Sequence, residues 1–402
     1  MRPATRVRET AAPPLSPLME RAAQLRGLGR ELIVLAQAMV DYAPPPSFLG
    51  ALAEGLRDPH GRLHRYAPDP GLPELRAALG AYLGSNFGLN VDPQREIIVT
   101  PGANHAAHTA FATLLEPDDE ALLVSPWYFN HEMSIRLLGA CPRAITALPG
   151  NEFVPTLAAL DEAWTPRTRL LVLVTPNNPT GARYPDAWLR ELGLHLAEDP
   201  RWREVALLVD QTYQEIFFTG RHPFSLGSLE ALRDRTITVG SFSKCFALAG
   251  WRLGFLATAA DLVTEALKIQ DSTVICAPHA AQWALARTLQ AHGEAARYLD
   301  EKRATLRLRR DALLEPFLQA GGPVPVTPQG ACFAFLPLPA DCDGARVAAT
   351  LLESEGVVTV PGIHFGPQWG RYLRLSFGTE SEARLREAGE RICRFLTAGG
   401  DG

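Results

Sequence analysis

Residues 241–254 read SFSKCFALAGWRLG and directly follow an apolar run, which makes Lys244 the most chemically informative side chain in the sequence. An ammonium beside a buried strand is costly unless it is paired or its pKa falls, and a lysine with a depressed pKa forms Schiff bases with aldehydes. The alternative is a lysine at a strand end with its charge in solvent. Ser241 and Arg252 flank it with a hydroxyl and a guanidinium, donors suited to a phosphate at short range. A small molecule bearing both an aldehyde and a phosphate, such as pyridoxal 5′-phosphate (PLP), needs both features.

Such a molecule also needs an anion for its pyridinium nitrogen and donors to its phenolic oxygen. Asp210 closes the run VALLVD, at the carboxyl edge of a sheet where open α/β folds place ligands, although a helix cap or turn is an equal reading. Tyr213, three residues on, either returns its hydroxyl to the same site or packs as a core aromatic. TPNNPTG at residues 175–181 follows RLLVLVT and brings Asn178 to that edge; as a bare turn it would be unremarkable. TPGAN at residues 100–104 lies between EIIVT and an Ala-rich helical stretch. It is either a simple turn or a helix N-terminus whose backbone N–H groups can meet a phosphate.

Residues so far apart in the chain need a scaffold to bring them together. Short Val/Ile/Leu runs at residues 96–100, 121–125, 169–175, 205–210, 236–240 and 253–258 predict strands. Continuous rather than alternating runs point to a sheet buried on both faces, as in α/β architectures. Beyond residue 280 a helical pattern runs to residue 320. Strands at 332–336 and 372–377, a helix near 345–355 and a final helix follow, which reads as a smaller α+β unit. Residues 1–20, rich in Pro, Ala and Arg, read as a loose arm ordered only by docking. The segment before residue 50 is expected to pack with the C-terminal unit. The expected division is therefore residues 1–48, a large cofactor-binding domain over 49–285 and a small domain over 286–402.

The 402 residues, 47% hydrophobic and 21% charged, suffice for a large core and are unlike a disordered or fibrous composition. Thirty-nine basic against 44 acidic residues leave a net charge of −5, which excludes an electrostatic footprint for nucleic acid or an anionic membrane. The densest basic stretch, Lys302, Arg303, Arg307, Arg309 and Arg310, reads as a solvated helix face. Six scattered cysteines without CxxC or Cys/His ligand spacing predict no metal site, and mostly buried thiols in a reducing compartment. No apolar segment follows Arg2, Arg6 and Arg8 as in a secretory leader, and no apolar run reaches about 18 residues. The expected location is the cytoplasm.

Taken in order, NNPTG (177–181), D-x-x-Y (210–213), S-x-S-K (241–244) and G-W-R-x-G (250–254) resemble the fold-type I PLP enzymes, specifically the class I/II aminotransferases, over roughly residues 30 to 396. The resemblance implies an α/β fold: a large domain with a mostly parallel seven-stranded sheet flanked by helices, plus a smaller α+β domain. It implies PLP as cofactor, transfer of an amino group from an L-amino acid to a 2-oxo acid, and a homodimer. Position by position, Lys244 resembles the lysine that holds the cofactor as a Schiff base and later moves the substrate's α-proton. Asp210 matches the carboxylate on the pyridinium nitrogen, Asn178 and Tyr213 the partners of the phenolic oxygen, and Ser241 and Arg252 the phosphate ligands. Ala103 and Asn104 match the phosphate cup, and Tyr128 the aromatic stacked on the ring, with Trp127 as its rival. Tyr66 resembles the tyrosine that reaches the phosphate of the neighbouring subunit. Arg374, otherwise read as an edge-strand charge, resembles the clamp on the substrate α-carboxylate, where Asn178 and Ala38 are also expected.

Three positions depart from the family pattern. Ala38 stands where a glycine usually meets the substrate carboxylate, and Asn104 where aspartate-preferring members often carry a lysine. Gln211-Thr212 replace an acidic-aromatic pair. Neutral or aromatic donors are therefore expected over dicarboxylic ones, with His105 as the one nearby group able to replace the missing cation. Two rivals remain: another PLP reaction (lyase, decarboxylase, cyclase or oxidase) and a non-catalytic PLP-binding effector domain.

Overall fold

The computed structural model describes residues 1–220, 222 and 224–398. Strand β1 (Ile33–Val34) stands apart from the main sheet. The main sheet is built from β2 (Ile97–Thr100), β3 (Glu120–Ser125), β4 (Cys141–Thr146), β5 (Thr168–Val174), β6 (Ala206–Asp210), β7 (Thr236–Ser241) and β8 (Gly254–Ala257). Its order is β2-β8-β7-β6-β5-β3-β4. Only β8 runs against its neighbours; the remaining pairs are parallel.

The continuous apolar runs are explained by cover on both faces. Leu171, Leu173, Leu207 and Val209 point into one core with Leu189, Leu192 and Leu196 of the helix Asp186–Glu198. The alternate residues Leu170, Val172, Leu208, Ile237 and Val239 enter a second core with Ala106, Ala107, Ala110 and Phe111 of the helix Ala103–Leu114. Small alanines bring that helix close to the sheet. Six of the seven strands follow the apolar pattern within about a residue. The seventh, β4, reads CPRAIT and escapes it, because an edge strand tolerates a proline and leaves half its side chains in solvent.

The C-terminal part holds an antiparallel sheet of β11 (Val360–Pro361), β12 (Tyr372–Ser376) and β9 (Phe333–Pro337). Beside it, β1 pairs in parallel with β10 (Val357–Val358) and ties the N-terminal segment to the C-terminal unit. Within residues 1–20, Thr5–Glu9 and the start of Leu15–Gly27 are helical, and Leu15, Leu18 and Met19 of the second helix pack against the main core. Three expectations need correction. The helical stretch ending at Ala320 is two helices, His279–Gln290 and His292–Ala320. Only Cys245 and Cys332 are buried; the other four cysteines are half-buried, and no disulfide joins any of them.

The basic run on the helix His292–Ala320 is not a free solvated face. Lys302 lies 5.5 Å from the Tyr42 ring, Arg303 pairs with Glu215, Arg309 with Asp41 at 2.7 Å, and Arg310 donates to the Pro328 carbonyl at 2.9 Å. A periodic pattern reports that a helix has a polar face, and cannot report that other segments supply partners for it. Among the described residues no helix is long and apolar enough to cross a membrane.

Candidate active site

Because β2, β3, β5, β6 and β7 run in one direction, the loops at their carboxyl ends converge on one edge of the sheet. They enclose a cavity of about 110 Å³. Ala103 and Asn104 follow β2, and Tyr128 follows β3. Asn178 follows β5, Asp210 and Tyr213 come from β6, and Ser241 and Lys244 from β7. Arg252 and Ala38 complete the wall, so every cofactor residue expected from the sequence lines this one cavity except Tyr66. Tyr66 is 76% exposed on the single chain. Of the two rival aromatics, Tyr128 lines the cavity and Trp127 does not.

One end of the cavity is built for an anion. Gly102, with φ of +87°, turns the chain into the helix Ala103–Leu114 and leaves the helix N-terminus open. A Cβ at Gly102 would lie 2.6 Å from the Arg252 guanidinium, so only glycine lets that cation sit over the helix start. Arg252 Nη2 donates to the Pro101 carbonyl at 3.0 Å and Nη1 to Ala249 at 2.9 Å. The Ser241 hydroxyl donates to Ser243 Oγ at 2.9 Å. A guanidinium, free helix N–H groups and hydroxyls together suit a phosphate.

At the other end Asp210 is 4% exposed. Its Oδ1 accepts the Thr212 N–H at 2.8 Å, and its Oδ2 lies 3.2 Å from Nε2 of buried His131. His131 also meets the Tyr128 ring edge-on at 5.2 Å, and Asn130 donates to the Tyr128 hydroxyl at 2.7 Å. Sequence reasoning missed His131, since it lies on the helix Phe129–Leu137 and nothing in its own neighbourhood points to Asp210. Of the departing pair, Thr212 thus caps Asp210, while Gln211 is fully buried with neither amide atom hydrogen-bonded.

Lys244 is not a solvent-facing lysine. Its Nζ donates to the Ala38 carbonyl, and Tyr42 donates to the main-chain carbonyl of Lys244 at 2.8 Å. Burial pushes the Lys244 pKa down, and the positive charges of Arg252 and Arg374 act in the same direction. Burial likewise raises the pKa of Tyr213 and Tyr128, keeping both as hydroxyl donors.

Arg374 lies on β12, the middle strand of its sheet, and is 0% exposed, which overturns its reading as an edge-strand charge. It stands between the rings of Phe333 at 4.7 Å and Phe365 at 5.2 Å. Nη1 donates to Asn178 Oδ1 at 3.0 Å, Nη2 donates to the Ala36 carbonyl, and buried Nε has no partner. Burial pushes its pKa down to about 10, so the charge persists at neutral pH. A buried cation with an unused donor is a receptor for a carboxylate. Burial lowers the pKa of His105, and its Nε2 is enclosed without a partner.

An amine with a lowered pKa, an anion cradle, a buried carboxylate and a buried guanidinium are the donor set that PLP and an amino acid require. The profile of the family "Aminotransferase class I and II" matches residues 30–392. The aspartate/prephenate aminotransferase of Thermus thermophilus is 34% identical over 377 residues, 94% of each chain. Aromatic-amino-acid aminotransferase 2 of Thermococcus litoralis is 32% identical over 335 residues, 83% of this chain and 84% of its own. Among solved structures, aspartate aminotransferase from Thermus thermophilus with maleate superposes with a TM-score of 0.91 at 32% identity, covering 98% of this chain and all of that one. The rival of a non-catalytic effector domain has no counterpart among these relatives. The chain therefore belongs to the class I and II aminotransferases, PLP-dependent enzymes that carry an amino group between an amino acid and a 2-oxo acid.

Proposed function

We propose that this aminotransferase takes its amino group from neutral or aromatic L-amino acids, works as a homodimer and resides in the cytoplasm. The observation that carries the site assignment is the single cavity that gathers Lys244, Asp210, Asn178, Tyr213, Ser241 and Arg252 from four strand ends. Ser241, Arg252, Ala103 and Asn104 would hold the phosphate, Asp210 the ring nitrogen, Asn178 and Tyr213 the phenolic oxygen, and Tyr128 the ring face. When bound, PLP supplies an aldehyde carbon that takes up the amino group and a ring that draws in the electron pair left by the α-proton. Lys244, whose pKa burial lowers, moves that proton. Arg374 orients the α-carboxylate, and the carbonyl of Ala38 holds the lysine in reach.

A dimer is supported by three site residues that a single chain leaves exposed: Tyr66, Asn104 and Arg252. Cysteines without a disulfide support a reducing compartment. We assign the division between large and small domains near residue 285, shortly before the break at Ala291 between two helices.

Donor choice rests on Asn104 and His105. Neither offers a cation where a distal carboxylate would lie, and a desolvated carboxylate without one is disfavoured. A panel of aspartate, methionine, phenylalanine and kynurenine, compared by kcat/KM, tests this. Aspartate should fall below the best neutral donor by about tenfold, a difference of about 1.4 kcal/mol. Aspartate as the best of the four overturns the donor assignment, and consumption of donor without amino transfer overturns the reaction. Sedimentation tests the dimer: an active, strictly monomeric protein refutes it.

A further inference from the structure

The long helix His292–Ala320 contributes to a buried charge cluster that neither the cofactor nor the substrate groups touch. Glu215, two residues past Tyr213, is 1% exposed. One of its carboxylate oxygens accepts the Tyr82 hydroxyl; the other lies 3.1 Å from Arg303 Nη1 and 3.1 Å from His222 Nε2. Arg303 Nη1 also donates to the main-chain carbonyl of Glu215 at 3.2 Å, and its guanidinium lies 4.6 Å from the centre of the Phe217 ring. The helix Pro73–Phe87, the segment 211–218 and the long helix therefore meet at one carboxylate.

An ion pair withdrawn from water contributes little net stability, and apolar replacements are often neutral or better. What it does impose is one geometry. That geometry passes directly to the site. The Ile216 N–H donates to the Tyr213 carbonyl at 2.8 Å, and the Ile216 carbonyl accepts the Ala331 N–H at 2.9 Å. The Tyr213 ring meets Phe333 edge-on at 5.4 Å, and Phe333 in turn carries the Arg374 guanidinium at 4.7 Å.

We propose that Glu215, held by Arg303 and Tyr82, is a positioning residue that sets the Tyr213 hydroxyl at the cavity and, through Phe333, the Arg374 guanidinium. Cofactor tuning and carboxylate binding are then adjusted by one buried pair. The proposal rests on the assignment of Tyr213 to the cofactor and Arg374 to the substrate.

The test uses the PLP-loaded protein with Glu215→Gln, Arg303→Met and Arg303→Lys, and Tyr213→Phe as reference. Glu215→Gln keeps the size of the side chain, and circular dichroism checks that each variant is folded. Two quantities are read: the pH midpoint at which the visible absorbance of the bound cofactor changes, and kcat and KM separately for the best donor. Glu215→Gln and Arg303→Met should move the midpoint in the same direction as Tyr213→Phe and raise KM while lowering kcat. Together these should cost about tenfold in kcat/KM, with Arg303→Lys recovering part of the loss. A midpoint unmoved and kcat/KM within about twofold in both variants, while Tyr213→Phe shifts the midpoint, overturns the positioning role. No shift in Tyr213→Phe itself overturns the Tyr213 assignment, and the proposal with it.

Discussion

Asp210 and Arg374 are both charged and both buried, yet the chain satisfies them in different ways. Asp210 is served partly close to home: Thr212, two residues on, donates to one oxygen, while His131, on the helix that follows β3, faces the other. Arg374 has no partner nearby in the chain. Its acceptors, Asn178 and Ala36, are 196 and 338 positions away, and its Nε is buried without a partner. The sheet edge is therefore preformed by its own loops, whereas the arginine site is assembled from remote segments and keeps one donor for an incoming anion. The difference suits the two ligands: the cofactor stays, while the substrate carboxylate must come and go.

Four substitutions break or sharpen this contrast. Lys244 links the two sides through Ala38 and does the proton transfer, so Lys244→Ala should be the most damaging change. Transfer activity should fall by at least about 10⁴-fold, and borohydride should no longer fix the cofactor to the chain. Retained turnover would reject the assignment. Asp210→Asn keeps the Thr212 hydrogen bond and removes only the charge, so the preformed side should stay folded while kcat drops by about 10²- to 10³-fold. Near-normal kcat with a normal melting temperature would show that the carboxylate serves structure alone.

On the assembled side, Arg374→Ala should cost about 2–5 kcal/mol in kcat/KM for every donor alike, because all donors share the α-carboxylate. A loss confined to one donor would mean that Arg374 reads the side chain instead. The smallest effect is expected at the anion cradle. Gly102→Ala puts a methyl against the Arg252 guanidinium at a positive φ, and should weaken PLP binding by about tenfold, with little change in kcat at saturating cofactor. Unchanged PLP affinity, measured by titration, would show that the guanidinium has room to move aside.

The same contrast explains how much of the fold and of the site is legible in the amino-acid sequence. The strands of the sheet are legible because burial on both faces writes itself into the chain as uninterrupted Val, Ile and Leu. Lys244, Asp210, Asn178 and Tyr213 are legible because each sits at the end of such a run, and parallel strands bring their carboxyl ends together. The edge strand β4 is not, since one exposed side and Pro142 erase the apolar run.

The sequence by itself determined the residue types and their order along the chain: a lysine, a carboxylate and an amide at strand ends, with a glycine where a helix must open toward an anion. Those follow from local rules, the two-residue and 3.6-residue periods and the conformational freedom of glycine. Only the tertiary structure decided that Arg374 is enclosed between Phe333 and Phe365 and not left at an edge, that His131 backs Asp210, and that the basic run of the long helix reaches Asp41, Glu215 and Pro328. Each is a property of pairs of segments far apart in the chain. The cost of burying a charge depends on what the other segment brings to it, and no local pattern contains that information.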